Sequence, residues 1–116
     1  MEKILAVVTD LMFSVKVLDA GKAAGRAVEF VKSMDEALRK AGERPALVVL
    51  DLNCREVDTV ELVRRLKADP ELRGIRTLGF ISHVQEGRRR EAVEAGCDRV
   101  VARSVFSDRA VELMGS

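Results

Sequence analysis

Aromatic side chains are almost missing from this chain. Its 116 residues include no Trp, no Tyr and only four Phe, so stacking platforms for nucleobases or flavin rings have little to be built from. Cysteine is as sparse. Cys54 and Cys97 lie far apart and match no metal or redox spacing, so each reads as a small, partly buried thiol. With His83 the only histidine, zinc would lack the nitrogen and sulfur ligands it needs. His83 itself reads as a loop imidazole, with a pH-sensitive group beside a site as the sharper alternative. Neither sign of charge dominates. Twenty Lys and Arg against nineteen Asp and Glu leave a net +1, which gives no global electrostatic case for nucleic acid or an anionic membrane. No apolar run approaches the roughly 20 residues that span a bilayer, and no cleavable signal pattern precedes Ile4. The expectation is a cytoplasmic protein forming one domain over residues 1–116, too short for a separate output module.

What is present is alternation. Short apolar runs rich in β-branched residues alternate with longer stretches of helical period, the pattern of βα units around a parallel sheet. The reading gives strands near Lys3–Val8, Ala27–Val31, Leu47–Leu50, Thr77–Ile81 and Arg99–Ala102. Helices are expected near Leu11–Ala24, Met34–Ala41, Thr59–Ala68 and Glu86–Ala95, with a short last helix from about Ser107 to Met114. Ser33 with Glu36 three residues on matches a capping box. Gly25, Gly42 and Gly96 each follow a helical run, where a left-handed C-terminal cap favours glycine. In the third helix Val60, Leu62, Val63 and Leu66 mark the buried face, leaving Glu61, Arg64, Arg65 and Lys67 for solvent. Right-handed crossovers between five strands give an α/β, flavodoxin-like, doubly wound sheet of order 2-1-3-4-5.

In such a sheet, chemistry gathers just beyond the carboxyl ends of the strands. Asp51 ends the apolar run Ala46–Leu50, and Asp10 follows the run Ile4–Val8. Two carboxylates at one sheet edge, with Ser82 closing a third strand, make a site hypothesis.

Four landmarks then carry a resemblance over nearly the whole chain: Val7-Val8-Thr9-Asp10; Leu50-Asp51-Leu52-Asn53 with Asp58 beyond; Phe80-Ile81-Ser82; and Ala95-Gly96-Cys97 leading into Val100-Val101-Ala102-Arg103. In their order and spacing the chain resembles the receiver domain of two-component response regulators. The resemblance implies Asp51 as phosphoacceptor, and Mg²⁺ held by Asp10, Asp51 and the backbone carbonyl of Asn53. It also implies Ser82 as the switch hydroxyl. These roles suit Mg²⁺, which takes one or two carboxylates, phosphate oxygens and waters, and which neutralises charge during phosphoryl transfer.

The chain departs from that pattern where charge matters most. Thr9 replaces the first acid of the usual pair, so Mg²⁺ binding should be weak. Arg103 replaces the usual Lys, exchanging a compact movable ammonium for a planar fork that prefers carboxylates. If Arg103 points inward it can pair with Asp51 and occupy the space a phosphate needs; if outward, the site lacks its cation. The sequence leaves both open. Ser104 stands where Pro is usual, Val100 where Phe or Tyr is frequent, and Thr59 where Gly is common. The short last helix would alter the face formed by the fourth helix, fifth strand and fifth helix, where receivers bind partners or a second copy.

The reading is a stand-alone, atypical receiver that is not an enzyme beyond self-catalysed transfer to Asp51 and hydrolysis. It signals through protein contacts, with a histidine kinase or another signalling protein as partner and a homodimer as a further option. A fully competent single-domain regulator is the alternative within the family. Outside it stands a small nucleic-acid-associated protein using Arg88, Arg89 and Arg90, although that run reads better as a solvated helix face diluted by Glu86, Glu91 and Glu94.

Overall fold

The computed structural model describes residues 2–82 and 86–115; His83, and with it the question of its role, lies outside them. Strands β1 (Lys3–Val7), β2 (Ala27–Phe30), β3 (Leu47–Asp51), β4 (Thr77–Ile81) and β5 (Arg99–Ala102) alternate with helices α1 (Leu11–Ala23), α2 (Met34–Ala41), α3 (Thr59–Ala68), α4 (Glu86–Ala95) and α5 (Arg103–Gly115). All strand pairs are parallel, in the order β2-β1-β3-β4-β5. This is the doubly wound sheet that the alternation implied.

Side chains along a strand point to opposite faces in turn, and the core divides accordingly. Leu5, Val7, Val48, Leu50 and Ile81 face a layer with Ala37, Val60, Val63, Leu66 and Ala92 of α2, α3 and α4. Ile4, Ala6, Val49, Leu78 and Phe80 face Val17, Ala20, Phe106, Leu113 and Met114 of α1 and α5. Strands β1, β3 and β4 are covered on both sides, which is why they read as unbroken apolar runs.

The register sets the site. Val7 pairs with Leu50, and Asp51 with Phe80, so Asp51 and the residues following β1 reach the same edge. Gly79 helps there: a Cβ at this position would stand 2.8 Å from Cδ1 of Leu52. Its absence lets Leu52 lie flat over β4 and draws the loop after Asp51 across the sheet.

The caps follow the sequence with one adjustment. Ser33 accepts from the Glu36 N–H at 3.1 Å, while Glu36 reaches back to the Lys32 N–H at 2.9 Å. Gly25 and Gly96 adopt positive φ as expected. Gly42 does not: it is right-handed at φ −63°, and the left-handed residue after α2 is Arg44. The turn is displaced two residues because Gly42, Glu43 and Arg44 bond back in succession to Arg39, Lys40 and Ala41.

The expected short last helix is corrected. Helix α5 begins at Arg103, directly after β5, and runs 13 residues to Gly115, broken by non-helical backbone at Arg109. Phe106, Ala110, Leu113 and Met114 are buried along it, a helical spacing that starts one residue before the expected boundary. Among the described residues no helix is long and apolar enough to cross a membrane.

Candidate functional site

Asp51 is the last residue of β3 and only 4% exposed. One carboxylate oxygen, Oδ1, accepts the Asn53 N–H at 2.9 Å; the other, Oδ2, accepts from Arg103 Nη2 at 3.3 Å. Its backbone carbonyl accepts the hydroxyl of buried Thr59 at 3.0 Å, tying the end of β3 to the start of α3. Burial pushes the Asp51 carboxyl above its ordinary range, and the neighbouring charge of Asp10 adds to that. The Asn53 N–H and Arg103 oppose both without cancelling them. The site therefore holds an acid whose ionised form is under-solvated.

Asp10 is exposed at the N-terminus of α1, where Oδ1 accepts the Phe13 N–H at 2.9 Å. A carboxylate there is favoured by the orphan N–H groups and the helix dipole. Thr9 donates its hydroxyl to Glu56 Oε1 at 2.9 Å, and Cys54 Sγ lies 3.7 Å from the same hydroxyl. That bond from Thr9 is the main cause holding the Glu56 carboxyl below its usual range. Glu56 thus brings a carboxylate to the position that lost one, a contact the sequence reading missed. Thr9, Asp10, Asp51, Asn53, Glu56 and Arg103 line one shallow concavity. Ser82 opens onto the neighbouring one, with Phe13, Arg103 and Ser107. Its N–H donates to Asn53 Oδ1 at 2.9 Å, joining the loops after β3 and β4.

Arg103 borders both concavities, and of its two possible orientations the inward one is found. Its guanidinium carbon lies 4.2 Å from the Phe13 ring centroid and 5.6 Å from that of Phe80. Phe13 stacks on Phe80 at 4.9 Å, and Phe80 on Phe106 at 4.8 Å. Phe13 and Phe106 also approach at 6.2 Å, so three of the four phenylalanines form one compact cluster beside the guanidinium.

Arg88 corrects the expectation of a solvated run in α4. Its Nε donates to the Leu52 carbonyl at 3.0 Å and its Nη2 to Asp58 Oδ1 at 2.9 Å. It clamps α4 to the loop after β3, and so leaves the basic patch on which a nucleic-acid reading would rely. Asp58 also caps α3 by accepting the Glu61 N–H at 3.1 Å, the first cause of its lowered carboxyl pKa. Nothing local marks Arg88 in the sequence, since its partners lie 36 and 30 residues away.

For a metal, the donors are of the right kind but few. Asp10, Asp51 and the Asn53 carbonyl offer the oxygens Mg²⁺ takes, while the Arg103 charge stands against one Asp51 oxygen. Among the described residues no group of three or more His, Cys, Asp or Glu is gathered to hold an ion.

No protein-family model matches the chain. Over its full length it is 28% identical to the polar-differentiation response regulator DivK of Brucella anthropi, covering 96% of that protein. In fold it is similar to the receiver domain of the sensor histidine kinase PA1611 of Pseudomonas aeruginosa PAO1, which has a magnesium ion coordinated in its active site cleft. That likeness has a TM-score of 0.83 at 18% identity and covers 97% of this chain and 93% of that one. The Mn²⁺-bound form of response regulator Rcp1 is similar at TM-score 0.81 and 18% identity, over 99% of this chain and 90% of that one. A response regulator is thus similar to the chain from end to end in sequence, and receivers match it in fold: the chain has the receiver fold.

Proposed function

We propose that this receiver keeps Asp51 in an internal ion pair with Arg103, which impairs phosphoryl acceptance, and that its output is protein–protein contact. The observation carrying this reading is the 3.3 Å approach of Arg103 Nη2 to Asp51 Oδ2. A phosphoryl group entering at Asp51 needs that oxygen free as nucleophile, and a donor already on it lowers its reactivity. The guanidinium also supplies positive charge where the wider class uses a metal and a lysine. Mg²⁺, when bound by Asp10, Asp51 and the Asn53 carbonyl, would neutralise charge on a transferring phosphoryl group. Ser82 would donate its hydroxyl to that group's oxygen. Thr9 in the place of an acid weakens the cation's hold, and Glu56 restores part of the lost negative charge.

A histidine kinase or another signalling protein is the partner on this reading, and self-association through α4, β5 and α5 is its further option. The cytoplasm is the compartment proposed with it. The test is intact mass after incubation with acetyl phosphate and Mg²⁺, beside Asp51→Asn and a receiver known to label. Little or no adduct while the known receiver labels supports the proposal. A full single adduct that Asp51→Asn abolishes overturns it in favour of a competent phosphoswitch.

A further inference from the structure

We infer that Phe13 is the positioning residue that commits Arg103 to Asp51; this rests on the reading that Arg103 restrains Asp51. Hydrogen bonding alone is a poor anchor for this guanidinium. Its bond to Asp51 is long, at 3.3 Å, and its Nε is buried with no hydrogen-bond partner. A bidentate arginine–carboxylate fork would have used two donors in parallel. What lies against the guanidinium instead is the Phe13 ring, 4.2 Å away, with Phe80 second at 5.6 Å. An aromatic face attracts a cation through its quadrupole and accepts a planar guanidinium stacked on it.

Phe13 is in turn fixed from two sides. Its ring stacks on Phe80 at 18°, and its N–H is held by the cap of Asp10. Asp10 therefore reaches Asp51 by two routes: as a like charge, and through the residue whose ring seats the arginine. Arginine suits this seat better than lysine, since a lysine ammonium brings no plane to stack.

The experiment compares Phe13→Leu, which keeps an apolar side chain without the ring, with Phe13→Tyr, which keeps the ring. Nitrogen-edited NMR of the arginine side chains reads the contact directly. In the parent protein and Phe13→Tyr, the Arg103 Nε–H should be shifted upfield by the ring and exchange slowly; Phe13→Leu should remove both effects. The rate of phosphoryl-adduct formation at Asp51 reads the consequence. Loss of a cation–π contact should raise it about two- to fivefold in Phe13→Leu, and not at all when Arg103→Gln is already present. An unshifted, fast-exchanging Arg103 signal in the parent protein overturns the inference. So does an equal effect of Phe13→Leu with and without Arg103, which would mean packing alone. Should Arg103→Gln itself leave the adduct rate unchanged while the NMR signature is present, the restraint reading fails and the seating of Arg103 by Phe13 stands.

Discussion

Two aspartates at opposite ends of the sheet have opposite fates. Asp98 precedes β5 at the amino-terminal edge, and one oxygen, Oδ2, accepts from Lys67 Nζ at 2.9 Å, the Thr77 N–H at 2.8 Å and the Thr77 hydroxyl at 3.0 Å. Lys67 also caps the carbonyls of Arg73 and Ile75. Burial raises the Asp98 carboxyl, but Lys67 and Thr77 outweigh it and the net shift is downward. Asp51 has one backbone donor and one long ion pair, and its net shift is upward. The Asp98 oxygen with three donors ties α3, β4 and β5 together, whereas Asp51 is left short of donors in a more buried place.

The comparison breaks most visibly at Asp98. Asp98→Ala should cost about 1.5–2 kcal/mol, the lower part of the range for hydrogen bonds to a charged group because the side chain is about half exposed, seen as a lower midpoint in urea unfolding. Because its folded carboxyl titrates below the unfolded one, that contribution is present above the unfolded value and disappears as pH falls through the folded value.

At the other edge, Arg103→Lys should raise the rate of phosphoryl-adduct formation about tenfold, equivalent to about 1.4 kcal/mol in barrier, followed by intact mass. Asp51→Asn should have a smaller effect on stability, of opposite sign to Asp98→Ala. The folded Asp51 carboxyl titrates above the unfolded one, so the parent is most stable below the unfolded value and loses stability as pH rises through the folded value. Asp51→Asn should therefore raise the thermal midpoint near neutrality, and the gain should vanish in acid. No gain at neutral pH would mean that Arg103 satisfies Asp51 after all. The smallest change expected is Thr9→Asp added to Arg103→Lys, tightening Mg²⁺ by about threefold through one more nearby charge, measured by calorimetry. If the double variant alters neither Mg²⁺ affinity nor adduct rate, charge at positions 9 and 103 is not what restrains the site.

Much of this was legible in the chain. The unbroken runs in β1, β3 and β4 announced strands covered on both faces, and Ser33 with Glu36 announced the start of α2. The placement of Asp10 and Asp51 at one edge followed from strand order alone. What escaped was decided by tertiary contacts between distant residues. The inward turn of Arg103 depends on a carboxylate 52 residues away and on a phenylalanine in α1. The clamp of Arg88 and the bond from Thr9 to Glu56 likewise join separate loops. The start of α5 was partly legible: the spacing of Phe106, Ala110 and Leu113 already placed a buried position before Ser107.

The junction between β5 and α5 has a mechanical consequence. Ala102 closes the strand and Arg103 opens the helix, with no residue between to take up slack. The break at Arg109 separates this first stretch from the half anchored by Leu113 and Met114. The stretch from Arg103 to Asp108 is therefore joined to the sheet at its start and pinned in mid-course by Phe106, buried against Phe80. Arg103 thus shares one rigid junction with the core ring of Phe106 and the carboxylate of Asp51, so a change of charge on Asp51 is felt first where the sheet passes into its last helix.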